Sequence, residues 1–187
     1  MKPATTAVGV HFLDLDHGAR RRYTVIQTAI GELLLVSDGQ SLVTIDFELH
    51  GRHAVQIGAD WLADPAPLAG AVEQLRAYFA GELAVFDLPV ALGGAGFQRQ
   101  VWELLADIPY GHTTTYGELA ARFGRPSASR AVGMANGRNP IPIVLPCHRV
   151  IGASGALTGY GGGLDRKRLL LDLEQRAGRP PLWSAGA

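Results

Sequence analysis

The sequence predicts an α+β protein, with a small N-terminal antiparallel sheet and one helix followed by a mostly helical C-terminal part. Three observations support this fold class. Short apolar runs separated by turn residues occupy 23–47, which is typical of hairpins. Apolar residues at helical spacing follow over 68–79. Beyond a glycine-rich break at 93–96, helical patterns dominate.

The N-terminal elements are bounded by turn signals. Strands are predicted over 23–27, 32–37 and 42–47, with Gly31 at the first turn and Asp38-Gly39 at the second. Residues 58–66 are expected to form a loop, and 86–92 a further strand or a linker. The helix over 68–79 ends at Gly81, and its apolar side consists of Leu68, Val72, Leu75 and Phe79.

Four helices are predicted in the C-terminal part, over 97–106, 116–123, 128–136 and 165–176. Ser127 is expected to cap the third. The first is expected to bury Phe97, Val101, Leu104 and Leu105, and the last Leu169, Leu170 and Leu173. The expected organisation is an extension over 1–22, an α+β domain over 23–92 and a helical domain over 93–187.

Composition indicates a globular chain: 47% of its 187 residues are apolar and 18% are charged. The N-terminus lacks a long apolar run, so no signal peptide is expected, and no segment approaches the roughly 20 apolar residues of a membrane span. A single cysteine excludes an internal disulfide and favours a reducing cytoplasm. Nor is a metal site expected, since the scattered histidines have no companion cysteine; they are His11, His17, His50 and His53.

Charge is unevenly distributed along the chain. Residues 1–96 carry 6 basic and 11 acidic groups, whereas 97–187 carry 11 basic and 6 acidic. No acidic residue occurs between Glu118 and Asp165, and that interval holds five arginines: Arg122, Arg125, Arg130, Arg138 and Arg149. A field of one sign favours an anionic polymer or metabolite as partner, although chance clustering remains an alternative.

The only cysteine, Cys147, is followed directly by His148 and Arg149 and preceded by a proline-rich run over 139–146. Because a thiolate is the reactive form of cysteine, a cationic neighbour and an imidazole predict an activated sulfur. The alternative is a buried structural cysteine, a common fate of this residue type. Prolines restrict the backbone and favour the first interpretation, because they would hold a reactive atom in place.

The two helices over 116–123 and 128–136, joined by a glycine-containing turn, match a helix-turn-helix of winged-helix type. The second of them carries a small-residue face: Ala128, Ser129, Ala131, Gly133, Ala135 and Gly137. Glycine inside a helix costs about 1 kcal/mol relative to alanine, so either helices pack tightly here or a ligand approaches closely. With Arg130 as its long cationic side chain, this helix suits a narrow groove.

Pro146-Cys147-His148-Arg149-Val150, with Asn139-Pro140 before it and Tyr160-Gly161-Gly162 after it, closely resembles the active-site signature of the O6-alkylguanine-DNA alkyltransferases. These are the methylated-DNA–protein-cysteine methyltransferases. The resemblance extends over about 97–174 and is weaker, in pattern only, over about 23–86.

The resemblance implies catalytic roles. Cys147 corresponds to the alkyl acceptor, His148 to the base that activates it through a water, and Glu174 to the acid that binds the histidine. Asn139 corresponds to an asparagine that braces the active-site turn. From sequence alone, Glu174 would have been assigned to solvated surface.

It also implies contacts with DNA. The helix that carries Ser129, Arg130, Ala131 and Gly133 would enter the minor groove, where Arg130 replaces a base that has rotated out of the stack. Tyr116 would help to displace the phosphate of the target nucleotide. Base extrusion is required because the reacting atom otherwise lies inside the duplex.

Contacts with the flipped guanine would come from Tyr160, a neighbouring backbone amide at Gly161, and Val150. Members of the family often have serine after the tyrosine, so a hydroxyl contact from Gly161 is in doubt here.

The expected function is therefore direct DNA repair, in which Cys147 takes the alkyl group of O6-alkylguanine once and irreversibly, with no cofactor. Tyr116 is expected to donate a proton to the leaving guanine. The expected partner is duplex DNA, and self-association along it is left open. A cysteine hydrolase and a non-catalytic lesion-binding module are the alternatives; in the latter class the cysteine is replaced.

Overall fold

The computed structural model describes residues 9–47, 55–94 and 96–177. A six-stranded sheet lies in its N-terminal half, in the order β1-β6-β4-β3-β2-β5. These strands are β1 (Val10–Asp14), β2 (Arg22–Thr28), β3 (Gly31–Ser37), β4 (Leu42–Asp46), β5 (Leu62–Ala63) and β6 (Leu88–Leu92).

The antiparallel hairpins β2–β3 and β3–β4 are those that the turn signals predict. The sheet as a whole is mixed, however, because parallel strands flank these hairpins. Strand β1 lies within the expected extension over 1–22 and pairs in parallel with β6, Val10 opposite Leu88. Strand β5 lies in the expected loop over 58–66 and pairs in parallel with β2.

The described residues also form five α-helices: α1 (Ala69–Phe79), α2 (Phe97–Leu105), α3 (Tyr116–Arg122), α4 (Ser129–Gly137) and α5 (Leu164–Ala177). Two short strands, β7 (Thr114–Thr115) and β8 (Val150–Ile151), pair in parallel beside them. One apolar core joins the sheet to the helices, with Leu33, Leu75 and Leu105 all fully buried within it. The α+β class and the helical C-terminal half are as predicted.

Two helix predictions need correction. Helix α3 begins with a capping box between Thr115 and Glu118, whereas α4 has Ala128 at its N-cap and no side-chain cap bond. Ser127 instead lies in a 3-10 turn, Pro126–Ala128. On α5, Leu169 is 51% exposed while Leu170 and Leu171 are buried.

None of the helices in the described part of the chain is long and apolar enough to cross a membrane. The domain limits at 22/23 and 92/93 stay predictions.

Candidate active site

A buried turn holds the cysteine in place. The Asn139 side chain donates from Nδ2 to the Leu145 carbonyl at 2.7 Å and accepts the Ile141 amide at 3.0 Å. Ile143, also fully buried, has a φ of 77°, which is rare for a β-branched residue and persists only where surrounding contacts impose it. Directly before Cys147 the chain therefore forms a strained turn that surrounding contacts hold in place. The two hydrogen bonds of the Asn139 side chain are among those contacts.

Cys147 lines a cavity of about 350 Å³ between the sheet and the helical half of the chain. Phe47 comes from the sheet side, and Asn136, Asn139, Tyr160 and Gly161 come from the other. The cavity falls within the size range of small-molecule sites.

Burial raises the pKa of the Cys147 thiol to about 11, and the Asn139 hydrogen bond and the Lys167 charge only partly oppose it. The expectation that its neighbours favour the thiolate in the free protein is therefore wrong. Arg149 does not activate the sulfur, since its guanidinium is bound to Glu174. At neutral pH the resting sulfur is a thiol, and a base must take its proton during reaction.

His148 can act as that base. Its Nε2 lies 2.8 Å from Glu174 Oε1, and both side chains are fully buried. An ionised carboxylate only accepts hydrogen bonds, so Nε2 carries the proton. Nδ1 is left as a free acceptor, without a hydrogen-bond partner among the described residues. Burial lowers the pKa of His148, against the opposing effect of Glu174, so the resting imidazole is neutral.

Glu174 lies within a set of donors that keep it ionised. Arg149 donates from Nε and Nη2, the Gly111 amide lies 3.0 Å from Oε2, and the Tyr78 hydroxyl lies 2.8 Å from Oε1. Burial would raise the pKa of this carboxyl, but the hydrogen bond from His148 and the hydrogen bonds and charge of Arg149 outweigh it and lower the pKa to about 2. The arrangement of Cys147, His148 and Glu174 can serve as nucleophile, base and orienting acid.

Lys167 also belongs to the site, although the sequence pattern did not predict it. Its fully buried ammonium donates to the carbonyl oxygens of Val150 at 2.7 Å and Thr158 at 2.8 Å. The Tyr116 hydroxyl donates to the same Thr158 oxygen at 3.3 Å. Lysine is rarely buried unless paired, so this contact fixes the glycine-rich loop before Tyr160 against α5 and α3.

Tyr160 packs against the sheet at the cavity wall. Its ring centroid is 5.5 Å from that of Phe47, and its hydroxyl has no hydrogen-bond partner in the described ranges. Val150 is fully buried and pairs with Thr114 across β7–β8, and its carbonyl is bound by Lys167. Tyr160 and Gly161 therefore border the cavity, while the Val150 carbonyl already has a partner.

Helix α4 leaves Arg130 and Gly137 exposed and Gly133 half-buried, whereas Ala135 of the predicted small-residue face is buried. A methyl group added at Gly133 would touch the Tyr116 ring only at 3.6 Å, and one at Gly137 would meet no described atom within 4 Å. Packing within the chain therefore does not require these glycines, which favours the close approach of an external ligand. Ser129 and Ala131 are half-buried at the same helix, and Met134 is 63% exposed on it.

No group of three or more histidine, cysteine or acidic residues within 9–47, 55–94 and 96–177 could hold a metal ion. His50 and His53 lie outside these described ranges.

Comparisons with known proteins agree over both halves of the chain. Residues 21–92 match the family model of the 6-O-methylguanine DNA methyltransferase, ribonuclease-like domain, and residues 96–176 match that of its DNA binding domain. A methylated-DNA–protein-cysteine methyltransferase of Mycolicibacterium paratuberculosis is 54% identical, covering 82% of this chain and 92% of its own length. One of Methanosarcina barkeri is 50% identical, with coverages of 82% and 96%.

Solved structures give the same result. Mycobacterium tuberculosis OGT in complex with DNA is 51% identical, with a TM-score of 0.77 over 83% of this chain and 94% of that one. The O6-methylguanine-DNA methyltransferase of Pyrococcus kodakaraensis is 26% identical, with a TM-score of 0.57 over 82% and 98%.

Proposed function

Since the chain belongs to the 6-O-methylguanine DNA methyltransferase family, we propose that Cys147 accepts the alkyl group from O6-alkylguanine in duplex DNA and is consumed in one event. The chain is a methylated-DNA–protein-cysteine methyltransferase, and it repairs DNA by alkyl transfer to a cysteine. The acceptor residue, the single turnover and the geometry on DNA are the proposal.

The proposal is supported mainly by the three buried side chains of Cys147, His148 and Glu174. The Cys147 proton leaves toward His148 Nδ1, through a water, and Glu174 stabilises the resulting imidazolium. The thiolate then attacks the alkyl carbon. A carbon–sulfur bond forms, the bond to O6 breaks, and its electron pair remains on the guanine, which Tyr116 protonates.

The protein reacts only once in this scheme because of the product that forms at Cys147. A thioether is not an ester that water readily cleaves, and Cys147 is the chain's single cysteine, so no second thiol can exchange with it. No metal or organic cofactor takes part in this scheme. The single free cysteine also suits a reducing cytoplasm, which stays a prediction.

The target base must leave the duplex to reach the sulfur. We place α4 in the minor groove, where its small residues allow close approach and Arg130 fills the space of the extruded base. The guanine then occupies the 350 Å³ cavity beside Cys147, bordered by Tyr160 and Gly161. Tyr116 lies between α4 and the loop before Tyr160. Its hydrogen bond to the Thr158 carbonyl must break before its side chain can contact the phosphate or the base. Cooperative self-association along DNA stays a prediction.

Mass spectrometry after mixing the protein with a duplex that contains one O6-methylguanine tests the proposal. We expect one methyl group on the Cys147 peptide, saturating at one per protein and absent from Cys147→Ala. Arg168→Ala, at an exposed position of α5, is the matched control and should transfer normally.

Binding to the duplex without an adduct would overturn the transfer step and favour a lesion-binding module. Turnover of an ester or amide without a stable adduct would instead favour a cysteine hydrolase, for which the same three residues would serve.

A further inference from the structure

The acid that orients His148 is bound by a residue from the N-terminal half of the chain. Tyr78 lies near the end of α1, fully buried. Its hydroxyl donates to Glu174 Oε1 at 2.8 Å across 96 positions of sequence. The N-terminal half therefore contributes directly to the buried hydrogen bonds that hold Glu174 and His148.

Tyr78 and His148 bind the same oxygen atom. Glu174 Oε1 accepts from the Tyr78 hydroxyl at 2.8 Å, from His148 Nε2 at 2.8 Å and from Arg149 Nη2 at 2.9 Å. Hydrogen bonds to a carboxylate withdraw negative charge from its oxygens. The phenol therefore reduces the charge that Oε1 presents to the imidazole.

The hydroxyl of Tyr78 is held as a donor. Burial and the charge of Glu174 raise its pKa well above 10, so it keeps its proton throughout the physiological range. Its ring is fixed by Phe79, Phe86 and Tyr110, whose centroids lie 5.4, 5.4 and 5.9 Å away. A buried hydroxyl is costly without a partner, and this one has an anionic partner.

We propose that Tyr78 is a positioning residue for alkyl transfer: it ties α1 to Glu174 and moderates the strength of the Glu174–His148 hydrogen bond. The inference rests on the proposed function, in which His148 is the base. Without the phenol, Oε1 would hold an imidazolium more strongly, so His148 would remain protonated to higher pH and would be unable to accept the Cys147 proton there.

Other charged and titratable groups also face the base. Arg149, together with Lys167 and Glu174 from α5, acts on His148 itself, and the Tyr110 phenol, edge-on to Tyr78, lies near the charges of Glu174 and Arg149. Tyr78→Phe leaves all of these in place and removes one hydroxyl.

The test is the single-turnover rate of methyl transfer from an O6-methylguanine duplex, measured from pH 5 to pH 9 with Tyr78→Phe. We expect the midpoint of the acidic limb to move up by about 0.5–1 pH unit, which lowers the rate on that limb about 3- to 10-fold and leaves the alkaline plateau in place. A residue that only packs the core would lower the rate equally at every pH, or not at all, and that result would overturn the inference.

Tyr110→Phe is the matched control. It removes a neighbouring hydroxyl that has no hydrogen-bond partner among the described residues, and we expect its pH profile to match the wild type. An equal shift in Tyr110→Phe would assign the effect to local polarity and not to the Tyr78–Glu174 bond, which would also overturn the inference.

A second measurement does not depend on activity. The ring-nitrogen shifts of His148, assigned with His148→Gln, should titrate at higher pH in Tyr78→Phe than in the wild type. Equal titration in both proteins would reject the inference while leaving the transfer to Cys147 intact. Absence of a wild-type adduct would reject the proposed function itself.

Discussion

Arg149 binds both carboxylate oxygens of Glu174, with Nε 3.0 Å from Oε2 and Nη2 2.9 Å from Oε1. The residue stands two positions after Cys147 in sequence, but its charge is directed to the acid and not to the sulfur. It is therefore the counterion that allows an ionised glutamate to exist in the core, and the glutamate in turn holds the imidazole of His148, the proposed base.

Arg149→Met should unfold far more easily than the wild type. The substitution leaves a buried carboxylate without its main counterion, which costs about 3–5 kcal/mol, and we expect urea denaturation to show that loss. Arg122→Met is the control, because Arg122 is 44% exposed in its pair with Asp107 and should lose less than about 1 kcal/mol. Similar small losses in both variants would contradict the assigned role.

Cys147 in the free protein should react slowly with iodoacetamide at pH 7. Burial raises its pKa to about 11, so we expect the reaction rate to increase up to about that pH. The urea-unfolded protein is the control and should show a midpoint near 8.5. Because the chain has one cysteine, the reaction reports on Cys147 alone. A midpoint at or below neutral pH in the folded protein would show a preformed thiolate.

The local parts of this site were predictable from sequence. Cys147 and His148 are adjacent, the proline-rich run indicates a constrained turn, and apolar periodicity indicates the helices. The partners of Glu174 were not predictable in the same way, because the Tyr78 hydroxyl and the Gly111 amide approach it from distant parts of the chain. An aromatic residue on an amphipathic helix gives no local sign of such a bond.

The buried face of α5 differs from the one that the apolar pattern predicts. It is made by Lys167, Leu170, Leu171 and Glu174, at helical spacing but with a charged residue at each end. Because charged residues are ordinarily expected to face solvent, the predicted buried face of α5 was wrongly placed on the side of Leu169. Strand β1 was missed for another reason: its partner β6 lies 78 positions away at Val10–Leu88, and parallel pairing over that distance leaves no turn signal.

Stability should fall as the pH is lowered from 7 to 3. The folded pKa of Glu174 is lowered from an ordinary 4.5 to about 2, so its contribution is present above 4.5 and is lost as the pH falls toward 2; it is on the order of 3 kcal/mol. His148 has a lowered folded pKa as well, so its contribution is present above the ordinary value of 6.5 and is also lost in acid.

Urea midpoints measured from pH 7 to pH 3 test whether the loss of stability comes from protonation of Glu174. Glu174→Gln should show a shallower dependence on pH, because the amide does not titrate. Asp165→Asn, which removes a highly exposed carboxylate from the same helix, should retain the wild-type slope. An equal slope in wild type and Glu174→Gln would show that the carboxyl is not held ionised.

Gly162→Ala should destabilise the protein by about 1–3 kcal/mol through overpacking. An added methyl group would lie 2.8 Å from the Phe47 ring, which is held by Tyr160 on one side and by the Arg166 guanidinium, 5.7 Å from its centroid. Gly161→Ala is the matched control for thermal unfolding, since its methyl group would approach only the Gly137 carbonyl, at 4.0 Å. Equal unfolding temperatures for the two variants would show that the ring moves freely.

Arg130→Ala should slow methyl transfer from a fully paired duplex and much less from one in which the lesion lies opposite an abasic site. Arg130 is exposed on α4, and in the proposed complex it fills the space that the extruded base leaves. Extrusion costs a few kcal/mol from an intact duplex and less where pairing is already lost, so the arginine matters most for the paired lesion.

Single-turnover rates on the two duplexes measure this difference. We expect a loss of about 10- to 100-fold on the paired duplex, which corresponds to about 1.4–2.8 kcal/mol, and partial recovery on the abasic one. Arg168→Ala controls for the loss of one positive charge on an exposed helix. An equal loss on both duplexes would indicate that Arg130 contributes general attraction to phosphate. In that case another side chain of α4, with exposed Met134 the first to test, would have to replace the extruded base.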